Sequence, residues 1–425
     1  MSERNIVASV DIGTNTVICL IGQMTNENKI QILGHSIVAS AGIRRGVIFN
    51  IEETVDAIRR AFDKATLKLD VSIKKLYVNV AGQQIRTIER QLCKPIGLGK
   101  IITKHDIKLL HEEAKAVELN EGEKVYHVIN QSFNVDGESA IHNPIGIAGE
   151  ELIAQYRLII GPTIYEEKLG ACLRKAGFEM VKCVVNPVAA SEAVLSDDEK
   201  EAGVVLVDLG GGTTSISIYH DSVLRYLSMI PFGGNVVTND IKEGYTLLLR
   251  QAESLKVQYG SAMGEHAADN KVVTIPGING WEPKEISFKS LAYIIQARME
   301  EIIESVYYQI EKSSFSNRLG AGIVVTGGGA KLEGLRQLIL FKTGLDVRIG
   351  KAINGIPSKD EKAIDNPQYA TAFGLLKMAV KNPNAQNDEL ISTRNKKKER
   401  SGNNYGEAII KKLTLFFNEE QDAEF

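Results

Sequence analysis

Two aspartates of this chain stand in the same short pattern. "VASVDIGTNTVICLIG" (residues 7–22) and "VVLVDLGGGTTSISIY" (residues 204–219) each hold a β-rich run, then Asp-x-Gly-x-x-Thr, then another β-rich run. Asp11 aligns with Asp208, Gly13 with Gly210 and Thr16 with Thr213. The glycines permit a tight turn with backbone N–H groups turned outward, where they can meet phosphate oxygens. Thr14, Asn15, Thr16, Thr213 and Thr214 add neutral donors. A carboxylate repels phosphate directly, so the expected task of Asp11 and Asp208 is to hold Mg2+ through water. Two such turns face to face would clamp one nucleotide between two related domains.

A third glycine site is "IVVTGGGAKLEGL" (residues 323–335). Its β-branched run enters Gly327, Gly328 and Gly329, where a base or an α-phosphate can approach the backbone near a following helix. Each of these motifs taken alone is equally a tight connection. A second repeat joins them: "NPVAASEAV" from Asn186 and "NPQYATAFGLL" from Asn366 share Asn-Pro-x-x-Ala. Pro187 and Pro367 suit a first helical turn. Ala189, Ala190, Ala370 and Ala372 keep the two helices slim enough to cross closely. Turn, helix, turn, helix is the order of a duplicated fold.

The elements that must position these residues fit a globular chain of several domains. It has 425 residues, 44% hydrophobic and 24% charged, with net charge −3, so nothing global points to nucleic acid. Cys19, Cys93, Cys172 and Cys183 are scattered without metal-type spacing and read as reduced thiols. His111-Glu112 begins like a zinc helix, but no second histidine follows at the required spacing. The first residues lack a signal-peptide pattern, and no apolar run approaches ~18 residues, so a cytosolic bulk is expected.

Together the motifs resemble the actin, sugar-kinase and heat-shock chaperone ATPase superfamily. Its five nucleotide motifs are similar to residues 11–22, 186–194, 208–219, 326–334 and 367–376. A narrower likeness rests on "IPFGGNVVTNDI" (230–241), "AESLKVQYG" (252–260) and "HVINQSFNVDG…NPIGIAGEEL" (127–152). These resemble the FtsA family of bacterial cell-division proteins, over about residues 6–381 and again at the C-terminus.

The resemblance implies an α/β, actin-like ATPase fold: two duplicated domains around a nucleotide cleft, with a small α/β insertion in the first. It implies subdomain 1A in 1–82, 161–200 and 358–381, and the inserted subdomain 1C in 83–160. Subdomain 2A would be 201–231 with 302–357, and 2B would be 232–301. ATP and Mg2+ are the implied ligands. Asp11, Gly13, Thr14, Asn15 and Thr16 would form the first phosphate loop. Asp208, Gly210, Gly211, Gly212 and Thr213 would form the second. Gly327, Gly328 and Gly329 would line the adenosine and α-phosphate side. Glu253 and Lys256 match an Ala-Glu-x-x-Lys helix that reaches the ribose and adenine; by spacing alone they are an exposed i,i+3 ion pair worth ~0.2–0.5 kcal/mol.

One position departs from the superfamily. Many members carry an acid before the proline of the first crossing helix, where this chain has Asn186. An amide orients water but does not accept its proton. ATP is therefore expected to be held well and hydrolysed slowly, the chain being at most a slow ATPase. The family further implies self-association, contacts of subdomain 1C with later division proteins, and binding of the FtsZ C-terminal tail by subdomain 2B. On the helix "SLAYIIQARMEEIIESVYYQI" (290–310) the apolar stripe reads as core, while Arg298 lies off it and suits an acidic-flanked peptide.

Residues 382–404 read as a flexible basic linker spanning about 25–30 Å. In 405–420, Ile409, Ile410, Leu413, Phe416 and Phe417 fall on one helical face, with Lys411 and Lys412 beside it. Such a helix either docks on the protein's own core or lies in the interface of an anionic membrane. Beyond a long polar linker the second is expected, which gives a peripheral protein on the cytoplasmic face of the inner membrane at the division site. The readings carried beside it are a pilus-assembly actin-like ATPase and a small-molecule kinase.

Overall fold

The structure, a computed structural model, describes residues 6–25, 29–69, 71–277, 282–352 and 364–381. The linker, the terminal segment with Ile409, Ile410, Lys411, Lys412, Leu413, Phe416 and Phe417, and the lone Trp281 lie outside the described residues.

The first half opens with β1 (Ile6–Ile12), β2 (Thr16–Met24) and β3 (Ile30–Ala39), a small hairpin of β4 (Ile43–Arg44) and β5 (Val47–Ile48), α1 (Ile51–Thr66) and β6 (Lys75–Val80). Helix α1 begins where the Asn50 side chain accepts from the Glu53 N–H, and carries Glu52 and Glu53 in its first turn. Next comes an inserted block: β7 (Arg86–Pro95), α2 (Lys104–Lys115), β8 (Glu123–Val135), β9 (Glu138–Ile141) and β10 (Glu151–Pro162). The half closes with α3 (Thr163–Ala176), β11 (Glu179–Val185), α4 (Asn186–Val194) and α5 (Asp197–Ala202).

The second half repeats the plan. It holds β12 (Val204–Leu209), β13 (Thr214–His220), β14 (Val223–Ile230), α6 (Gly234–Tyr245), α7 (Leu249–Tyr259), β15 (Val272–Ile275), β16 (Lys284–Ser287) and α8 (Phe288–Lys312). It continues through β17 (Ile323–Thr326), α9 (Leu335–Thr343) and β18 (Val347–Ile349), and α10 (Ala370–Lys381) returns to the first half's core.

The sheet orders make the duplication explicit: β3-β2-β1-β6-β11 in one half and β14-β13-β12-β17-β18 in the other. In each, the first three strands pair antiparallel and the last two join in parallel. Strand β12 is buried along its whole length, as a central strand covered on both faces requires. Where the two Asn-Pro helices cross, Gly374 of α10 lies so close to α4 that a Cβ would sit 1.7 Å from the Ala189 carbonyl oxygen. The Ser9 hydroxyl of β1 donates to the Ala372 carbonyl at 2.7 Å, fixing α10 to the first sheet.

The inserted block is an antiparallel sheet, β7-β10-β8-β9, whose core joins Leu110 and Ala114 of α2 to Phe133, Leu152, Tyr156 and Leu158. A Thr103–Asp106 capping box starts α2. The Thr103 hydroxyl and N–H, with Lys94, hold the Asp106 carboxyl down to about 2. Strand β8 touches both halves. Its His127 Nε2 accepts the Val185 N–H at 3.1 Å, and its Gln131 amide donates to the Leu224 carbonyl at 3.0 Å. Burial lowers His127 to about 4, which keeps the ring neutral and able to accept.

In the second insertion, Leu291, Ile295, Met299, Ile302 and Ile303 of α8 are buried, as their spacing indicates. Arg298 lies off that stripe, as expected, and is half-buried. Its Nε and Nη2 fork onto both oxygens of Asp240, at 2.5 and 3.0 Å, and Nη1 meets Glu301, so the guanidinium fastens α8 to α6.

Candidate nucleotide cleft between the two halves

The turns after β1 and β12 are built alike to the residue. Asp11 pairs with Ile18 and Asp208 with Ser215, seven positions on in both hairpins. Gly13 N–H donates to the Thr16 carbonyl at 2.9 Å, and Gly210 N–H to the Thr213 carbonyl at 3.0 Å. These two N–H groups therefore close their own turns instead of facing outward as expected. A Cβ on either glycine would lie 3.0 Å from the same carbonyl oxygen, so tightness of the turn is what requires glycine.

The loops meet at one cleft of about 1270 Å³. Asp11, Gly13, Thr14, Asn15, Thr16, Asn186, Asp208, Gly210, Gly211, Thr213, Glu253, Lys256, Gly327, Gly328 and Gly329 all line it. Gly212 does not. A Cβ there would sit 2.6 Å from the Thr14 hydroxyl, and one on Gly211 would sit 2.5 Å from the Asn15 amide carbon. The bare second loop thus makes room for the side chains of the first. Thr214 is also turned away: it is buried and its hydroxyl donates to the Phe232 carbonyl. Gly327 takes φ +84°, and a Cβ there would lie 2.3 Å from an Asp208 oxygen. The run after β17 forms a 3-10 turn, Gly328–Lys331, so α9 begins only at Leu335 and not at these glycines.

Two acids share the cleft, and each feels the low dielectric of its burial. Burial, and next the Asp208 charge, push Asp11 up to about 8. Burial pushes Asp208 up to about 6 against a stabilising hydrogen bond from Thr371. Asp11 Oδ1 is buried and finds no hydrogen-bond partner among the described residues. Paired carboxylates with an unsatisfied oxygen are the donor set of a hard divalent cation that keeps most of its water, and they fit Mg2+.

Glu253 and Lys256 form the ion pair their spacing predicts, at 2.7 Å, but not as an exposed couple. Lys256 also donates to the Gly234 carbonyl at 3.0 Å and to the Thr238 hydroxyl at 2.7 Å, tying α7 to the start of α6. Across the cleft mouth Asn15 and Asn235 exchange two amide hydrogen bonds, at 2.6 and 2.9 Å. Asn235 is in turn held by its N–H on the Gly211 carbonyl at 2.8 Å. Thr14 accepts the Gly46 N–H at 3.0 Å, which braces the first loop from the β4–β5 hairpin.

Several of these residues escaped the sequence reading. Asn235 and Thr238 lie inside the quoted run 230–241, and Thr371 inside 366–376. Asn79 interrupts the buried run 76–80 of β6; an amide in a buried strand was the available signal.

Known proteins agree with this architecture. The family model "Cell division protein FtsA" matches residues 205–374, and "SHS2 domain inserted in FTSA" matches residues 82–160. The chain is 33% identical over 382 residues to the cell division protein FtsA of Neisseria meningitidis, covering 89% of this chain and 91% of that one. It is 31% identical over 387 residues to FtsA of Bacillus subtilis, covering 91% and 86%. Among solved structures, a chain of the PilM–PilN type IV pilus biogenesis complex aligns with TM-score 0.59 at 16% identity, covering 88% of this chain and 98% of that one. MreB 5 of Spiroplasma citri bound to AMPPNP aligns with TM-score 0.52 at 14% identity, covering 92% and 99%. At such identities the structural likeness is one of fold, an actin-like fold, whereas the sequence likeness is to cell-division proteins. With its duplicated halves, its inserted sheet and this degree of identity along nearly its whole described length, the chain belongs to the FtsA family of cell-division proteins.

Proposed function

We propose that this chain binds ATP with Mg2+ in the cleft, polymerises on the cytoplasmic face of the cell membrane and anchors the FtsZ ring there. The observation that carries the nucleotide part is the pair of identically registered turns bringing Asp11 and Asp208 into one cleft. Mg2+ supplies the positive charge that lets both carboxylates ionise beside phosphates. Thr14, Asn15 and Thr16 bracket the phosphates from the first half, and Gly210, Gly211 and Thr213 from the second. Gly327, Gly328 and Gly329 admit the adenosine, and Glu253 and Lys256 reach toward the ribose. The cleft offers no carboxylate at Asn186, so turnover is slow and nucleotide acts as a ligand for closure and assembly.

The membrane part rests on residues 405–420. Each large apolar side chain there contributes at most ~1.5–3 kcal/mol if fully buried. Ordering of the helix offsets much of that, and neighbouring cations add about 1 kcal/mol each on an anionic leaflet. One helix is a reversible anchor, and a filament carrying many holds firmly. The FtsZ tail is assigned to subdomain 2B (232–301), and later division proteins to subdomain 1C (83–160). Arg298, its guanidinium oriented by Asp240 and Glu301, is the candidate contact for the acidic-flanked tail.

Co-sedimentation with anionic liposomes tests this reading, using the full chain and a chain ending at Lys381. Binding by the full chain alone, strengthened by Mg2+ and ATP, is expected. Persistence of binding in a Phe416→Glu/Phe417→Glu variant would count against the anchor.

A further inference from the structure

We propose that Asn186 turns a hydrogen-bond donor, not an acceptor, into the cleft, and so selects a nucleoside triphosphate over a diphosphate. This rests on the nucleotide reading above. The orientation of an amide is set by its neighbours, and here the chain of neighbours begins at a backbone group that can only donate. The Ile12 N–H reaches a side-chain atom of Asn79 at 2.7 Å, which must therefore be Oδ1. Asn79 is 3% exposed, so it has no alternative partner in solvent. Its Nδ2 then faces Asn186 at 2.8 Å and the Ile12 carbonyl at 3.4 Å. A donor in that place fixes the facing atom of Asn186 as Oδ1.

The remaining group of Asn186 is its NH2, which has no protein partner among the described residues and belongs to a side chain lining the cleft. Asn186 is one amide removed from Ile12, the neighbour of Asp11, so it stands at the phosphate and metal end. An NH2 group there has no lone pair for a water proton, and cannot orient water by accepting from it. It can donate to a phosphate oxygen, and among acids that repel phosphate such a donor is complementary. Asn79 is the positioning residue that holds this orientation.

The test is a calorimetric titration of the full chain with Mg2+–ATP and with Mg2+–ADP. Asn186→Ala is expected to weaken ATP about tenfold while ADP stays within about twofold. Asn186→Asp still accepts from Asn79, directs a carboxylate oxygen into the cleft, and weakens ATP further. In Asn79→Asp the second oxygen can only accept, which turns the Asn186 amide round and reproduces the selective loss with residue 186 unchanged. Should that buried acid prevent folding, Asn186→Asp stands as the independent test. Equal losses for ATP and ADP, or no loss for either, would overturn the proposal. Failure of the wild-type chain to bind either nucleotide would instead remove the nucleotide reading beneath it.

Discussion

The two Asp-x-Gly loops share a backbone and differ in what they carry on it. Both close with the same glycine-to-threonine hydrogen bond and the same strand register. The first presents Thr14 and Asn15; the second presents Gly211 and Gly212, whose missing side chains leave the space those two occupy. The acids differ as well. Asp208 has Thr371 as a donor, while Asp11 keeps a buried oxygen without one and is pushed further up. A duplicated element has become two complementary halves, one bulky and one bare, that fit against each other.

That complementarity is most directly broken by filling the bare loop. In Gly212→Val the added Cβ lies 2.6 Å from the Thr14 hydroxyl and 3.1 Å from the Arg45 Cα, so the loops must part. Affinity for Mg2+–ATP, measured by titration, is expected to fall by about a hundredfold or more. Overpacking should lower stability by only ~1–3 kcal/mol. The converse change in the first loop, Thr14→Gly, should cost far less binding.

The acids offer a second contrast. Both have folded-state values raised above the unfolded one, so each binds its proton more tightly when folded. Ligand-free stability is then lost as pH rises, from about 4 to 6 for Asp208 and from about 4 to 8 for Asp11. Asp11→Asn should therefore stabilise the ligand-free chain increasingly up to pH 8, by ~2 kcal/mol, below the full linkage value because Asp11 is half-buried. Asp208→Asn should reach its gain by pH 6, reduced by the loss of the charged hydrogen bond to Thr371. Melting curves across that pH range distinguish the two.

The smallest effect concerns the Asn15–Asn235 amide pair, which joins the loops across the mouth. Asn235→Ala should speed nucleotide release by about fivefold, and adding it to Asn15→Ala should speed release no further. Multiplying effects in a stopped-flow chase would show that the two amides act separately.

The repeated Asp-x-Gly and Asn-Pro patterns made the duplication, the two loops and the crossing helices legible, because each signal recurs at matched positions. Strand β7 was not legible. Arg86, Glu89, Arg90 and Lys94 give it a charged look, which the fold resolves by pairing Arg86 with Glu123 and Glu89 with Arg157. The burial of Thr214, the contact of Gly212 with Thr14, and the Asn79–Asn186 pair also escaped. Each depends on which distant segment comes to face a residue, and spacing along one segment carries no record of that. For Arg298 the helical face was readable, but its partner Asp240 on the neighbouring helix was not.

The central claim is that Asp11 and Asp208 hold a metal-bound nucleotide between matched loops. Titration of the full chain with ATP, with and without Mg2+, tests it most directly when run beside an Asp11→Asn/Asp208→Asn variant. The account predicts saturable one-to-one binding by the wild type that depends on Mg2+, and loss of that dependence in the variant. Binding that ignores Mg2+ and survives both substitutions unchanged would contradict it.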